Sequence, residues 1–248
     1  MKFHFLGTTG YHPNNHRQTA CLMLPELGVI FDAGTGMFRV RDLIETDTLD
    51  IFMSHVHLDH SIGLTFLYDV LYEKNLSRVT VHVAADKIDT IKNHLYSEQL
   101  FPVKPNFEFR ELSDEPYELL DGSAVTTFPL THPGGCNGYR VDWPDRSLAY
   151  VTDTTASPDA EYIKAIDGVT TLVHECYFPD GWEDRAEMTG HSCLTPVAQV
   201  AAAADAGSLY LVHINPLNED DAPLDLDSVS QIFKNPIAVA TDQLVINV

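Results

Sequence analysis

Short apolar runs bounded by Gly, Pro, Asn and Asp recur along the chain, and their length and β-branched or aromatic content predict strands. In the first half these are Lys2 to Leu6, Ala20 to Leu24, Val29 to Phe31, the run Leu49 to Met53, and Val79 to Ala84. From Asn106 to Val151 the pattern shifts to short strands separated by turn residues: Phe107 to Leu112, Tyr117 to Leu120, Ala124 to Leu130, Tyr139 to Val141 and Ser147 to Val151. Thr171 to Val173, Leu209 to Val212, Ile237 to Val239 and Leu244 to Ile246 complete the set. Helices are expected after Gly36 through Leu43, from Ser61 to about Tyr72, and over Asp86 to Tyr96, Asp159 to Ile166, Pro196 to Ala204 and Leu226 to Phe233. Thr195 is the expected N-cap of the helix that begins at Pro196, with Gly207 just past its end. Neither a repeat nor a linker interrupts the pattern. It predicts an α/β chain with two mixed sheets covered by helices, in a single domain over residues 1–248.

Composition narrows the classes. Of 248 residues 44% are hydrophobic, which suits a globular chain with a sizeable core. No apolar run approaches the ~20 residues of a membrane helix, and Met1 to Leu6 is too short for a signal peptide, so a cytoplasmic protein is expected. Cys21, Cys136, Cys176 and Cys193 form no Cys-x-x-Cys pair and read as core residues. Fifteen basic against 36 acidic residues leave a net charge of −21, which repels phosphate backbones. Part of that charge is expected to be neutralised by bound cations, and part to form solvated surface at Asp114-Glu115 and Glu219-Asp220-Asp221.

The chemistry concentrates at Ser54-His55-Val56-His57-Leu58-Asp59-His60. Imidazole nitrogen and carboxylate oxygen are the ligands that zinc and similar metals prefer. On extended backbone His55 and His57 point to one side, and Asp59 and His60 follow on the first turn of a helix. Later strands end in the same kind of residue: Thr131-His132, Thr152-Asp153, His174-Glu175 and His213. Sites in layered α/β proteins form at strand carboxyl ends. If these strands are neighbours, seven ligands converge, enough for two metals ~3.5–4 Å apart. Asp32 reads as a residue that orients a ligand histidine rather than as a ligand, and Gly34 and Gly63 as backbone-geometry positions. His4 and His174 read as core or sheet-face histidines, and His82 and His94 as surface or helix-face ones. His12 and His16 lie in the loop after the first strand.

His55-x-His57-x-Asp59-His60 with His132, Asp153 and His213, and Asp32-x-Gly34 upstream, resembles the metallo-β-lactamase superfamily over nearly the whole chain. The resemblance implies a four-layer αβ/βα sandwich. By it, His55, His57 and His132 hold one metal, Asp59, His60 and His213 a second, and Asp153 bridges them. The expected cofactors are two divalent ions, most simply Zn, with Mn or Fe as alternatives. Leu6-Gly7-Thr8, His174-Glu175-Cys176 and His191-Ser192-Cys193 are similar to the ribonuclease Z and phosphodiesterase branch. There the histidine matching His191, supported by the acid matching Glu175, assists at the phosphate and leaving group. Asp59, Asp153, His191 and Glu175 are thus the expected catalytic residues, although Glu175 also reads as a solvated strand-end acid.

True ribonucleases Z commonly carry a basic tRNA arm between the third histidine and the bridging aspartate, and here His132 and Asp153 stand only 21 positions apart. With the acidic charge this disfavours tRNA and points to a small phosphodiester or cyclic nucleotide, without a membrane partner. The expected chemistry is hydrolysis by water whose pKa two cations lower from ~15.7 toward ~7. Hydrolysis of another ester, thioester or lactam, or iron-dependent redox chemistry, are the alternatives. Members of that branch are often dimers, so a homodimer is one expectation. Tyr177 to Trp182 is expected to be an aromatic wall over the substrate or a packed surface loop.

Overall fold

The alternation of apolar and polar positions pairs the strands into two seven-stranded mixed sheets, in a computed structural model that describes residues 1–218 and 224–248. Glu219-Asp220-Asp221 lies outside the described residues, while Asp114 and Glu115 are exposed as expected. The chain divides into two compact units, Met1–Ser113 with Asp242–Asn247, and Asp114–Thr241 with Val248.

The first unit holds β1 (Lys2–Gly7), β2 (Cys21–Leu24), β3 (Val29–Phe31), β4 (Thr48–Phe52), β5 (Arg78–Val83), β6 (Glu108–Glu111) and the last strand of the chain, Val245–Asn247. That last strand pairs with β1, and the order continues β1-β2-β3-β4-β5-β6. From β3 to β6 all neighbours are parallel. Parallel strands need covered crossovers, supplied by the 3-10 helix Thr35–Leu43 and by the helical run from Leu58 to Val70. Leu49 and Ile51 of β4, Met53 just after it, and Val79, Val81 and Val83 of β5 pack with Met37, Val40, Leu64 and Leu67 from those crossovers. Fully burying each such side chain stabilises by about 1.5–3 kcal/mol.

The other face of β4 and β5 carries a polar cluster that the sequence did not flag. Asp50 is buried and accepts from Arg78 Nη1 (2.8 Å) and Nη2 (2.9 Å) and from His82 Nε2 (2.7 Å). His82, expected at the surface, is 2% exposed and stacks on Phe52. The period-2 alternation of β5 turns it to the same face as Thr80, opposite Val79, Val81 and Val83.

The second unit holds β7 (Tyr117–Glu118), β8 (Ala124–Leu130), β9 (Cys136–Asp142), β10 (Ser147–Val151), β11 (Thr171–Glu175), β12 (Leu209–Val212) and β13 (Ile237–Val239), in the order β13-β12-β11-β10-β9-β8-β7. β10 to β13 are parallel neighbours, and β8 and β9 join by antiparallel pairing. The helix Leu194–Ala203 buries Leu194, Val197, Ala198, Val200 and Ala201 against Leu172, Leu209 and Leu211. This helix begins two residues earlier than Pro196: Cys193 is its N-cap and makes no side-chain capping bond. Instead the Asp180 carboxylate accepts from Thr195 N–H (2.8 Å) and Thr195 Oγ1 (2.7 Å), a cap supplied from another segment. The left-handed residue beyond the helix is Asp205 (φ 50°), not Gly207. A Cβ at Gly207 would meet Thr170 O at 2.6 Å, so that glycine serves a close backbone approach. An unexpected helix, Glu183–Thr189, precedes it.

Burial pushes the Asp50 carboxyl up, but the hydrogen bonds from His82 and Arg78 outweigh burial and hold its pKa well below the ordinary 3.8. A pKa depressed by folding contributes stability above the unfolded value that is lost as pH falls toward the folded one. Asp50→Asn is therefore expected to cost about 1.5–3 kcal/mol at neutral pH. In urea melts the gap to wild type should narrow as pH falls from about 5 toward 2; a gap that is constant with pH would contradict this account.

Candidate metal centre

In the first unit the parallel pairing of β3 with β4 sets the strand ends side by side, with Phe31 opposite Phe52. Asp32 and Ser54 therefore emerge together. Asp32 is fully buried and takes the left-handed conformation (φ 59°) that Asp and His adopt more readily than most residues. Its carboxylate accepts from Ser54 N–H (2.7 Å), Ser54 Oγ (2.8 Å) and His60 Nδ1 (2.8 Å). Asp59 and His60 lie on the helical turn Leu58–Ser61, which begins three residues before the expected start at Ser61. Gly34 lets the loop after β3 lie against that turn, since a Cβ there would meet Asp59 O at 2.1 Å.

These bonds decide which ring nitrogens can bind a cation. His60 Nδ1 donates to the Asp32 carboxylate, so in a neutral ring Nε2 carries the lone pair. The single Ser54 hydroxyl proton goes to Asp32, so His55 Nδ1, 3.0 Å away, donates to Ser54 Oγ and leaves its own Nε2 as the lone-pair atom. His60 Nε2 faces Asp59 Oδ2 at 3.6 Å, two electron-pair donors with a gap between them. The His55 ring lies 4.5 Å from His57 and 4.3 Å from His60, centroid to centroid. Asp59 is held from the other side by the backbone N–H of Tyr11, 2.6 Å from its Oδ2. His12 and His16 are exposed in the same loop.

The second unit repeats the arrangement. Adjacent parallel strands β10, β11 and β12 bring Asp153, Glu175 and His213 to one end of the sheet, and β8 runs alongside through β9 to bring His132. His132 Nδ1 donates to the carbonyl of Gly190 (2.8 Å), which again leaves Nε2 as the lone-pair nitrogen. Gly190 is left-handed (φ 74°), and a Cβ on it would reach within 2.7 Å of that Nδ1. The two oxygens of Asp153 face different histidines: Oδ2 lies 3.6 Å from His132 Nε2, and Oδ1 lies 3.2 Å from His213 Nε2. His213 also sits at positive φ (56°), directly after β12. Left-handed non-glycine backbone costs of order 1–3 kcal/mol and concentrates at functional sites.

Next to these lie Glu175 and His191. Glu175 is fully buried, not a solvated strand-end acid. Its Oε1 accepts from His191 Nδ1 (3.1 Å) and Thr154 N–H (3.0 Å), and its Oε2 from Tyr177 N–H (3.2 Å). Glu175, His191 and His213 each place one ligand-type atom within 4.8 Å of the others. His174, on the same strand, is a core histidine as expected. Burial lowers its pKa, its Nδ1 donates to Glu175 O, and its Nε2 accepts from the Tyr162 hydroxyl. Nothing in the sequence marked Ser54 or Gly190, because each acts through a partner chosen by the fold.

The donor atoms are of the kind that zinc-type divalent cations prefer: imidazole Nε2 and carboxylate oxygens, with the Nδ1 atoms of His55, His60 and His132 engaged as donors. The Beta-lactamase superfamily domain profile matches residues 28–214. The chain is similar to ribonuclease Z of Archaeoglobus fulgidus, 24% identical over 292 aligned positions that cover 96% of this chain and 94% of that protein. Among solved structures it is similar to the metallo-beta-lactamase fold protein YhfI of Bacillus subtilis (TM-score 0.79, 16% identity, 99% of this chain and 98% of that one). It is also similar to a diphosphatase from the PhnP family (TM-score 0.72, 19% identity, 99% and 96%). The two sheets and their helices thus have the metallo-β-lactamase fold.

Asp32→Ala removes the acceptor that fixes the His60 tautomer. It is expected to weaken zinc binding about 10–100-fold, read by competition with a chromophoric chelator. Unchanged affinity would mean that Asp32 serves only the backbone of Ser54.

Proposed function

This chain belongs to the beta-lactamase superfamily as a metal-dependent hydrolase, and from that premise we propose that it hydrolyses a small phosphodiester. In this reading His55, His57 and His132 hold one divalent ion, Asp59, His60 and His213 a second, and Asp153 serves both. The whole chain works as one functional domain, with two zinc ions as the simplest cofactors and Mn or Fe as alternatives. Bound divalent ions supply Lewis acidity and bring the pKa of a water into the neutral range.

The chain's own residues do the rest. Asp153 and Asp59 accept hydrogen bonds from the attacking water and orient it. His191, in its doubly protonated form, gives the Nε2 proton to the departing oxygen and keeps its Nδ1–H on the Glu175 carboxylate. The observation that carries the phosphoester reading is the placement of that dyad: the His191 ring lies 5.1 Å from His213 and 5.3 Å from His132, with Glu175 buried behind it. Positioned general acids contribute about 10²–10⁴-fold.

RNA is the second reading, since a relative along the whole chain is named ribonuclease Z. Two observations favour a small diester. The 21 positions from His132 to Asp153 are taken up by β9, β10 and short turns, and the net charge of −21 opposes binding to a phosphate backbone. No helix among the described residues is long and apolar enough to cross a membrane. A cytoplasmic location and a homodimer are further parts of the proposal.

Zinc- and manganese-loaded protein should hydrolyse bis-p-nitrophenyl phosphate or a 2′,3′- or 3′,5′-cyclic nucleotide faster than lactams, thioesters or a structured RNA. Redox-active iron with no diesterase activity would overturn this reading. Chelation should abolish turnover, and zinc should restore it. His191→Ala should lower kcat about 10²–10⁴-fold with metal content, measured by elemental analysis, near wild type; equal loss of metal would make His191 a ligand instead.

A further inference from the structure

Three rings surround His191, and two of them, His132 and His213, are proposed metal ligands. The third is Tyr177. Its ring lies 4.8 Å from that of His191 at an interplanar angle of 17°, and 5.7 Å from that of His213. Tyr177, His191 and His213 thus form a triangle of mutually packed rings, with the His191–His213 side at 5.1 Å. The backbone of Tyr177 is tied to the carboxylate that holds His191: Glu175 Oε2 accepts the Tyr177 N–H, and Oε1 accepts from His191 Nδ1. Beneath it Phe178, Cys193 and Ala186 form a small apolar cluster against which Tyr177 packs. Phe178 N–H bonds to Ser192 O, so this segment is paired with the residue after His191.

We propose that Tyr177 is a positioning residue for His191: its ring sets the plane and distance of the imidazole relative to His213, so that the Nε2 proton points at the departing oxygen. This inference rests on the assignment of His191 as proton donor. The Nδ1···Oε1 hydrogen bond holds one edge of the imidazole, and the near-parallel Tyr177 ring packs against its face. A donor displaced by about 1 Å can cost about 10²-fold. Tyr177 is half-buried in a hydrogen-bonded segment.

Protonation matters most when the leaving oxygen is basic, so the test compares diphenyl phosphate, which releases phenoxide, with bis-p-nitrophenyl phosphate, whose leaving group needs little help. Tyr177→Leu keeps apolar volume over the Phe178 cluster and removes the stacked ring. It should lower kcat on diphenyl phosphate about 10–100-fold and on bis-p-nitrophenyl phosphate by less than about threefold, with KM and metal content unchanged. Tyr177→Phe keeps the ring and should restore most of the loss. In the protein as purified, the His191 Nδ1–H proton resonance should be sharp in wild type and Tyr177→Phe, and broadened by exchange in Tyr177→Leu. Equal loss on both substrates, loss of metal, or failure of phenylalanine to rescue would overturn the inference. His191→Ala is the control: if it does not discriminate between the two substrates, the proton-donor assignment itself fails. If it discriminates and Tyr177→Leu does not, only the role of Tyr177 falls.

Discussion

A neutral imidazole has one N–H, and the acceptor that takes it decides which nitrogen can hold a cation. The candidate centre depends on this constraint. His60 gives its proton to Asp32, His55 to Ser54 and His132 to the carbonyl of Gly190. Each acceptor is fixed in turn by something costlier to move: Asp32 by β3 and its left-handed backbone, Gly190 by the turn that ends the helix Glu183–Thr189. The ligand atoms are preorganised because the backbone around them has been spent on their partners.

Buried charge follows the same logic. Asp32, Asp153 and Glu175 are all at most 2% exposed, and a buried carboxylate is costly unless hydrogen-bonded or paired with a cation. Asp32 and Glu175 are satisfied by N–H and O–H donors from the chain. Asp153 accepts from Thr152 Oγ1 at Oδ1 (2.8 Å) and also turns its two oxygens toward His213 and His132. The sequence shows only acids at strand ends; the partners that set each one apart come from the fold. The Glu175 carboxylate touches the residue after Asp153, the backbone of Tyr177 and the ring of His191.

Chemistry and substrate separate at this point. The metal-binding arrangement is shared by the hydrolases of the superfamily, and what distinguishes one from another is what stands around it. Here the surroundings are the His191–Glu175 pair packed among rings, a short hairpin between His132 and Asp153, and a strongly acidic chain. In the proposed reading, the short hairpin and the acidic charge favour a small anionic diester over a long nucleic acid.

The strands, and the candidate ligands of the His55 loop and at His132, Asp153 and His213, were legible in the sequence because their signals are local: alternation of period two, and ligand-type residues packed at the ends of apolar runs. Asp32 was legible as an orienting acid for the same reason. What only the tertiary structure decided depends on pairs far apart in the chain. His82 could not be placed until β4 and β5 set it against Asp50. The start of the helix Leu194–Ala203 was misjudged because its cap comes from Asp180 rather than from a neighbouring residue. The alternative of a solvated Glu175 fell only when β10 and β12 enclosed its strand, and the contact of the Tyr177 ring with His191 was not readable from the sequence. Local pattern specifies which residues can do chemistry; the proton and ring partners that make them do it are chosen by strand order.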